Sequence, residues 1–264
     1  MIRQGCCWTW ECGLAGTPSV AVLSPDYYQI TQVEAPQVPA AELRAALRWR
    51  LKEFLPYSIE EAVVDGFALP QAPGRSGPAM MLAVSAQARD VGRVAEALSG
   101  AGLATEAIDI PELSLRNLAA RVPDQAGGVA LVALGDSTGL ITISQGEDWY
   151  LARNLDLGES HLRADAASAV EHRARELQRS LDYYESQLAS SPASRVLLAP
   201  FQGDRDVLLE RLNEALVVPS FGLDLEQLLE CGVDLPMEAP AVLLCAAGLR
   251  RAAVVHPRLR TGPA

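Results

Sequence analysis

Apolar positions along the chain repeat with two different periods. SVAVL (19–23) and YYQITQV (27–33) are β-branched and aromatic, and the turn residues Ser24, Pro25 and Asp26 separate them, so two strands are predicted. Over 40–55 the period changes: Leu43, Leu47, Leu51 and Phe54 fall at helical spacing, with Pro39 before the start and Pro56 as the stop. AVVDGFAL (62–69) and AMMLAVSA (79–86) read as strands joined by PQAPGRSGP, a surface excursion. A helix over 88–100 with Val91, Val94, Ala95 and Leu98 inward, then Gly102 and a strand over 104–110, complete the block. Residues 27–110 thus form a strand, helix, strand, strand, helix, strand unit.

Pro111 opens a helix running to Val122, in the first-turn position where its missing N–H goes unused. PDQAGG (123–128) is a polar, Gly-ended linker and sets a boundary between 1–124 and 125–264. GVALVAL, GLITISQ and WYLARNLDL then give three successive strands joined by GDST and GED, a β-meander. A long amphipathic helix over 163–189 carries Val170, Ala174, Leu177, Leu181, Tyr184 and Leu188 at spacings of three and four. The rest alternates: strand RVLLAP, helix 205–216, strand VVPSF, short helix LEQLLE and an apolar helix over 240–249. The fold class is α/β.

Composition narrows the chemistry. With 264 residues, 49% hydrophobic and 21% charged, the chain is long enough for a sizeable core without disulfides or metals. Acids exceed bases 33 to 22, a net charge of −11 with pI about 4.8, which argues against a nucleic-acid partner. Lys52 is the only lysine, so no Gly-Lys-Ser or Gly-Lys-Thr phosphate loop exists; its helical setting makes it a solvated residue rather than a Schiff-base catalyst. Cys6, Cys7 and Cys12 cluster with Trp8 and Trp10 at spacings that fit neither a zinc knuckle nor a redox pair, while Cys231 and Cys245 read as small apolar residues. The start lacks a signal-peptide pattern, and no stretch approaches the ~20 apolar residues of a spanning helix, so a cytoplasmic location is expected.

A few patterns are candidates for chemistry. Gly135–Gly139 (GDSTG) matches a nucleophile elbow, but the alternating strand LITIS follows it where a helix is needed, so Ser137 reads as a turn residue. Of three histidines, His161 is not otherwise placed, His172 lies on a helix rich in Arg and Glu, and His256 in the tail; no catalytic or metal site emerges. The same Gly, Asp, Ser and Thr turn between two strands has a second reading, a phosphate cradle of backbone amides and hydroxyls. Glu176 and Arg179, one turn apart on the long helix, read locally as a surface ion pair. Glu60 and Glu61 follow a turn, and Asp204 and Asp206 sit where acids favour a helix start.

Several segments together resemble one family. LRWRLKEFLPYSIEEAVVDGFAL (47–69), AGLATEAIDIPELSLRNLA (101–119), the hairpin over 128–153, RELQRSLDYYESQL (175–188) and AAGLRR (246–251) resemble the MSHA pilus biogenesis protein MshI family. More distantly they resemble PilM of type IV pilus assembly and the cytoplasmic part of the type II secretion protein GspL. The resemblance implies an actin-like ATPase fold: two ribonuclease-H-like lobes, the first with a small inserted α/β subdomain fitting 27–110 and lacking its N-terminal hairpin. It implies a cytoplasmic scaffold, peripheral at the inner face of the bacterial inner membrane. The scaffold would bind the cytoplasmic N-terminal tail of a PilN-like pilus protein, or its MSHA equivalent, alongside other platform components. The alternative is an active actin-like ATP-binding protein or ATPase of pilus or type II secretion assembly.

In this family ATP and Mg2+ would be held at positions corresponding to Gly135, Asp136, Ser137, Thr138, Gly139, Glu176, Arg179 and Gly248. The departures are at Ala133, where an acid of D-x-G is expected, and at Ala199, Pro200 and Phe201, near the expected Gly-Gly start of the adenosine loop. A degenerate site is therefore expected, with no cofactor or only weak ATP binding, no metal site, and no hydrolysis. Trp49, Arg50, Phe54 and Tyr57 are the candidate partner-binding residues; the competing reading places Trp49 and Phe54 in the core.

Overall fold

A tight turn, closed by the Thr17 amide on the Leu14 carbonyl (3.0 Å) and containing left-handed Gly16, leads into strand β1 (Pro18–Val22). The computed structural model describes residues 13–71, 77–123, 127–188 and 191–228, with backbone alone for 164–172 and 226–227. The chain divides into two compact units at 111/112, where the sequence reading put its boundary at the 123–128 linker.

The first unit holds two sheets. Strands β2 (Tyr28–Glu34), β3 (Ala62–Ala68) and β4 (Met80–Gln87) form an antiparallel sheet in the order β2-β4-β3. Helix α1 (Leu43–Leu51) precedes β3, and its Leu47 and Leu51, both fully buried, pack with Val33, Ala62, Val64, Met81 and Ala83. The helix lies so close that a Cβ at Gly66 would stand 2.7 Å from Leu47 Cδ1. Helix α2 (Ala88–Gly100) buries Val91 with Leu23, Ala86 and Ile108, with Val94 and Ala95 packed against them. Strand β5 (Ala104–Asp109) corrects one expectation: it leaves this sheet and pairs in parallel with β1. The reason is topological, since the α2 crossover sets β5 down beside β1, a strand that precedes the 27–110 block.

A second correction concerns Phe54. The helical pattern over 40–55 places it in register with Leu51, but α1 ends at Leu51, and the Phe54 amide closes a turn on the Leu51 carbonyl (2.9 Å). Pro56 disfavours helical backbone at Leu55, so the helix stops short.

The second unit is one five-stranded sheet flanked by helices. Helix α3 (Pro111–Ala119) leads to β6 (Gly128–Leu134), β7 (Gly139–Gln145) and β8 (Asp148–Leu155), an antiparallel meander. Helix α4 (Glu159–Tyr183) follows, then β9 (Ala193–Leu198), α5 (Arg205–Ala215), β10 (Ser220–Gly222) and α6 (Leu225–Leu228). The strand order is β10-β9-β6-β7-β8, with β6, β9 and β10 parallel.

Central β6 is buried at all seven positions, which explains its unbroken apolar run. Ala130, Val132 and Leu134 face Leu177, Leu181, Leu208 and Leu212 of α4 and α5, while Val129, Leu131 and Ala133 face Leu115 and Leu118 of α3. Each fully buried leucine stabilises by about 1.5–3 kcal/mol. Where α4 ends, a π-helical turn (Tyr184–Leu188) drives Tyr184 beneath Gly128, where a Cβ would lie 2.5 Å from its hydroxyl.

Candidate functional site

The Gly135–Gly139 turn joins β6 to β7, closed by the Gly135 amide on the Thr138 carbonyl (2.8 Å). No helix follows it, and Asp136, Ser137 and Thr138 are exposed. The N-terminus of α4 packs directly on this turn. Glu159 N–H donates to the Gly135 carbonyl (2.9 Å), Ser160 N–H to the Asp136 carbonyl (2.8 Å), and Ser160 Oγ to that same carbonyl (2.7 Å). Gly158 permits the approach, since a Cβ there would lie 2.5 Å from Asp136 O. The Gly158 amide in turn donates to His161 Nδ1 (3.1 Å), so His161 caps the helix.

The loop after β9 reaches the same corner. Gln202 N–H donates to Glu159 Oε1 (3.1 Å), Arg163 donates to Glu159 Oε2 (3.3 Å), and Arg163 reaches Asp136 Oδ1 at 2.5 Å. This corner lies at the carboxyl ends of parallel β6 and β9, the end where open α/β sheets receive ligands. Ala133 is buried against α3 and β9 among Leu115, Leu118, Leu197 and Ala199. Phe201, 7% exposed, fills the core on the α4 and α5 side.

Sequence reasoning missed Gly158, Glu159, Arg163 and Gln202. The available signal was the Gly-Glu pair opening a helix immediately after the third meander strand.

Glu176 and Arg179 do not join this corner. Glu176 is 17 residues along α4 from Glu159, or about 26 Å at 1.5 Å per residue. They also form no ion pair with each other among the described residues; the Glu176 carbonyl accepts from Ser180 Oγ (2.9 Å) and Arg179 is exposed. Gly248 lies outside the described residues. Asp204 is the side-chain cap of α5, accepting from Val207 N–H (3.1 Å). No cluster of three or more potential metal ligands occurs among the described residues.

The second candidate surface is on the first unit. Trp49 is 77% exposed and Phe54 57%, so neither belongs to the core. Trp49 sits two residues from Leu47, on the opposite side of α1 from the buried stripe, and Lys52 Nζ stands 5.6 Å over its ring. Arg50 lies 3.8 Å from Glu34, both well exposed. Tyr57 is half-buried against the core beneath α1, and burial raises its phenol pKa.

The helix is anchored from below. Arg48 donates to the Ala62 carbonyl, and Arg44 meets the Asp65 carboxylate at 3.2 and 3.5 Å. Asp65 also accepts from Gly66 N–H (3.0 Å). Burial pushes its carboxyl up to about 6, against the lowering effect of Arg44. No described helix is long and apolar enough to cross a membrane.

Neither protein-family models nor curated proteins give a match to this chain. Solved structures do. The chain is similar to the PilM-PilN type IV pilus biogenesis complex, at 23% identity over 88% of this chain and 80% of that one, with a TM-score of 0.62. It is also similar to the cytoplasmic domain of EpsL, an inner membrane component of the type II secretion system of Vibrio cholerae (14% identity, 92% and 77% covered, TM-score 0.48). A third is a protein with an actin-like ATPase fold from Bacteroides thetaiotaomicron (12% identity, 76% and 70% covered, TM-score 0.42). The chain has the actin-like ATPase fold, a mixed α/β architecture.

Proposed function

We propose that this chain is a scaffold of a type IV pilus assembly platform, working at the cytoplasmic face of the inner membrane. It binds the N-terminal tail of a PilN-like membrane protein there and does not hydrolyse ATP. The likeness to the PilM-PilN complex over most of both chains carries the reading, because PilM is found there with PilN. The resemblance of several segments to the MshI family favours an MSHA-type system.

Exposed aromatic side chains on α1 and in the turn that follows it support the choice of binding face. Trp49 and Phe54 are large apolar groups with water on most of their surface, and such residues supply the anchors of protein interfaces. Arg50 and Tyr57 flank them with polar tips for orientation.

The residues do not fit a nucleotide. Ala133 offers no carboxylate, Phe201 is packed into the core where the resemblance implies the Gly-Gly start of a loop, and Glu176 and Arg179 stand too far along α4 to share one ligand with the turn. No step of phosphoryl transfer is therefore assigned. Co-expression with the PilN-like partner tests the reading: the tagged chain is expected to retain the partner, and a partner lost at the first wash would contradict it.

A further inference from the structure

We propose that Glu159 is a built-in anion that closes the corner at the ends of β6 and β9, taking the donors that a phosphoryl group would need. The inference deepens the proposed absence of nucleotide chemistry and rests on that reading. In this corner a helix N-terminus and two loops converge, the arrangement that ordinarily receives an anion. Here each donor already has an oxygen from the chain itself. The first two amides of α4 are spent on the Gly135 and Asp136 carbonyls. The Gln202 amide and the Arg163 guanidinium are taken by the two oxygens of Glu159, whose side chain is 12% exposed.

Charge reinforces the closure. Asp136 and Glu159 bring two negative charges to one Arg163, which leaves the corner net negative and repels a polyphosphate. The closure is also written into the backbone. Gly158 and Gly139 allow the turn and the helix start to pack closely: a Cβ at Gly158 would stand 2.5 Å from Asp136 O, and one at Gly139 2.7 Å from Leu157 O. Glu159 therefore acts as a positioning residue, tying the loop after β9 to the β6–β7 turn.

Thermal unfolding of the purified chain and of E159A tests this, with Mg-ATP, with inorganic phosphate, and with sodium chloride at matched ionic strength. The wild-type midpoint is expected to stay unchanged with Mg-ATP and with phosphate. E159A is expected to unfold about 5 °C lower, having lost charge-assisted hydrogen bonds. Phosphate should raise its midpoint by about 2 °C more than chloride does, because loss of Glu159 releases the Gln202 amide and one of the two carboxylate partners of Arg163, and both groups then donate to the ion. If E159A does not fold, E159Q takes its place: it keeps an acceptor for Gln202 while removing the charge, and the same phosphate gain is expected at reduced size.

A wild-type midpoint raised by Mg-ATP would overturn the proposal, as would a variant that responds to phosphate no more than wild type. Retention of the PilN-like partner, measured without nucleotide, reads the platform role separately. A chain that holds both ATP and the tail overturns the closure alone.

Discussion

Stability of the three-stranded sheet should rise as the solution is acidified, because Asp65 is held where its proton is favoured. Its side chain is 3% exposed and its carboxyl is pushed from 3.8 to about 6, by burial above all, with Arg44 opposing. The folded state thus binds the proton more tightly than the unfolded chain. The resulting stabilisation is fully present below the unfolded pKa and is lost as pH rises through about 6. The rise from 3.8 to about 6 corresponds to about 3 kcal/mol. Other carboxylates titrate in the same window, so the clean quantity is the difference between wild type and D65N in urea unfolding at a series of pH values. Wild type should gain about 3 kcal/mol on D65N between about pH 7.5 and pH 3.5. R44A should be strongly destabilised at pH 7, where it leaves a buried carboxylate unpaired, and much less so at about pH 5. A wild-type minus D65N difference that stays flat, or that falls on acidification, would refute the reasoning.

Tyr184 is fully buried, its hydroxyl has no hydrogen-bond partner among the described residues, and burial pushes its pKa up to about 12. Y184F should therefore leave stability unchanged or raise it by about 1 kcal/mol in urea unfolding. G128A, by contrast, forces a methyl into the Tyr184 ring and should cost about 1–3 kcal/mol in the same assay. On α1, L47A should cost about 2–5 kcal/mol, while W49A should stay within about 0.5 kcal/mol, read as the shift in thermal midpoint. F201A should destabilise by about 3–5 kcal/mol, since Phe201 packs with Leu208 and Leu212; a neutral result would show that the loop after β9 does not belong to the core.

Local patterns made the elements legible and left their partners obscure. The β6–β8 meander could be read from alternating apolar residues and short polar turns, and β6 announced its double burial by a run without polar breaks. The partner of β5 could not be read, because parallel pairing with β1 joins segments some 85 residues apart and no turn signals it. The same limit applies to the corner. GDSTG was visible as a turn, but its contact with Glu159 depends on α4 starting at Glu159, four residues before the helix that the apolar periodicity predicts. Glu176 and Arg179 fell on one helix with that corner, yet a 25-residue helix separates its ends by more than one ligand's length. Trp49 could have been placed from the stripe of Leu43, Leu47 and Leu51, which it opposes; aromatic composition alone argues for burial.

The platform role is tested most directly by titrating a labelled peptide of the PilN-like protein's cytoplasmic tail against the purified chain and following fluorescence anisotropy. The account predicts saturable binding that W49A and F54A each weaken by about tenfold or more, with thermal midpoints unchanged. Absence of binding, or binding by both variants equal to wild type, would contradict it.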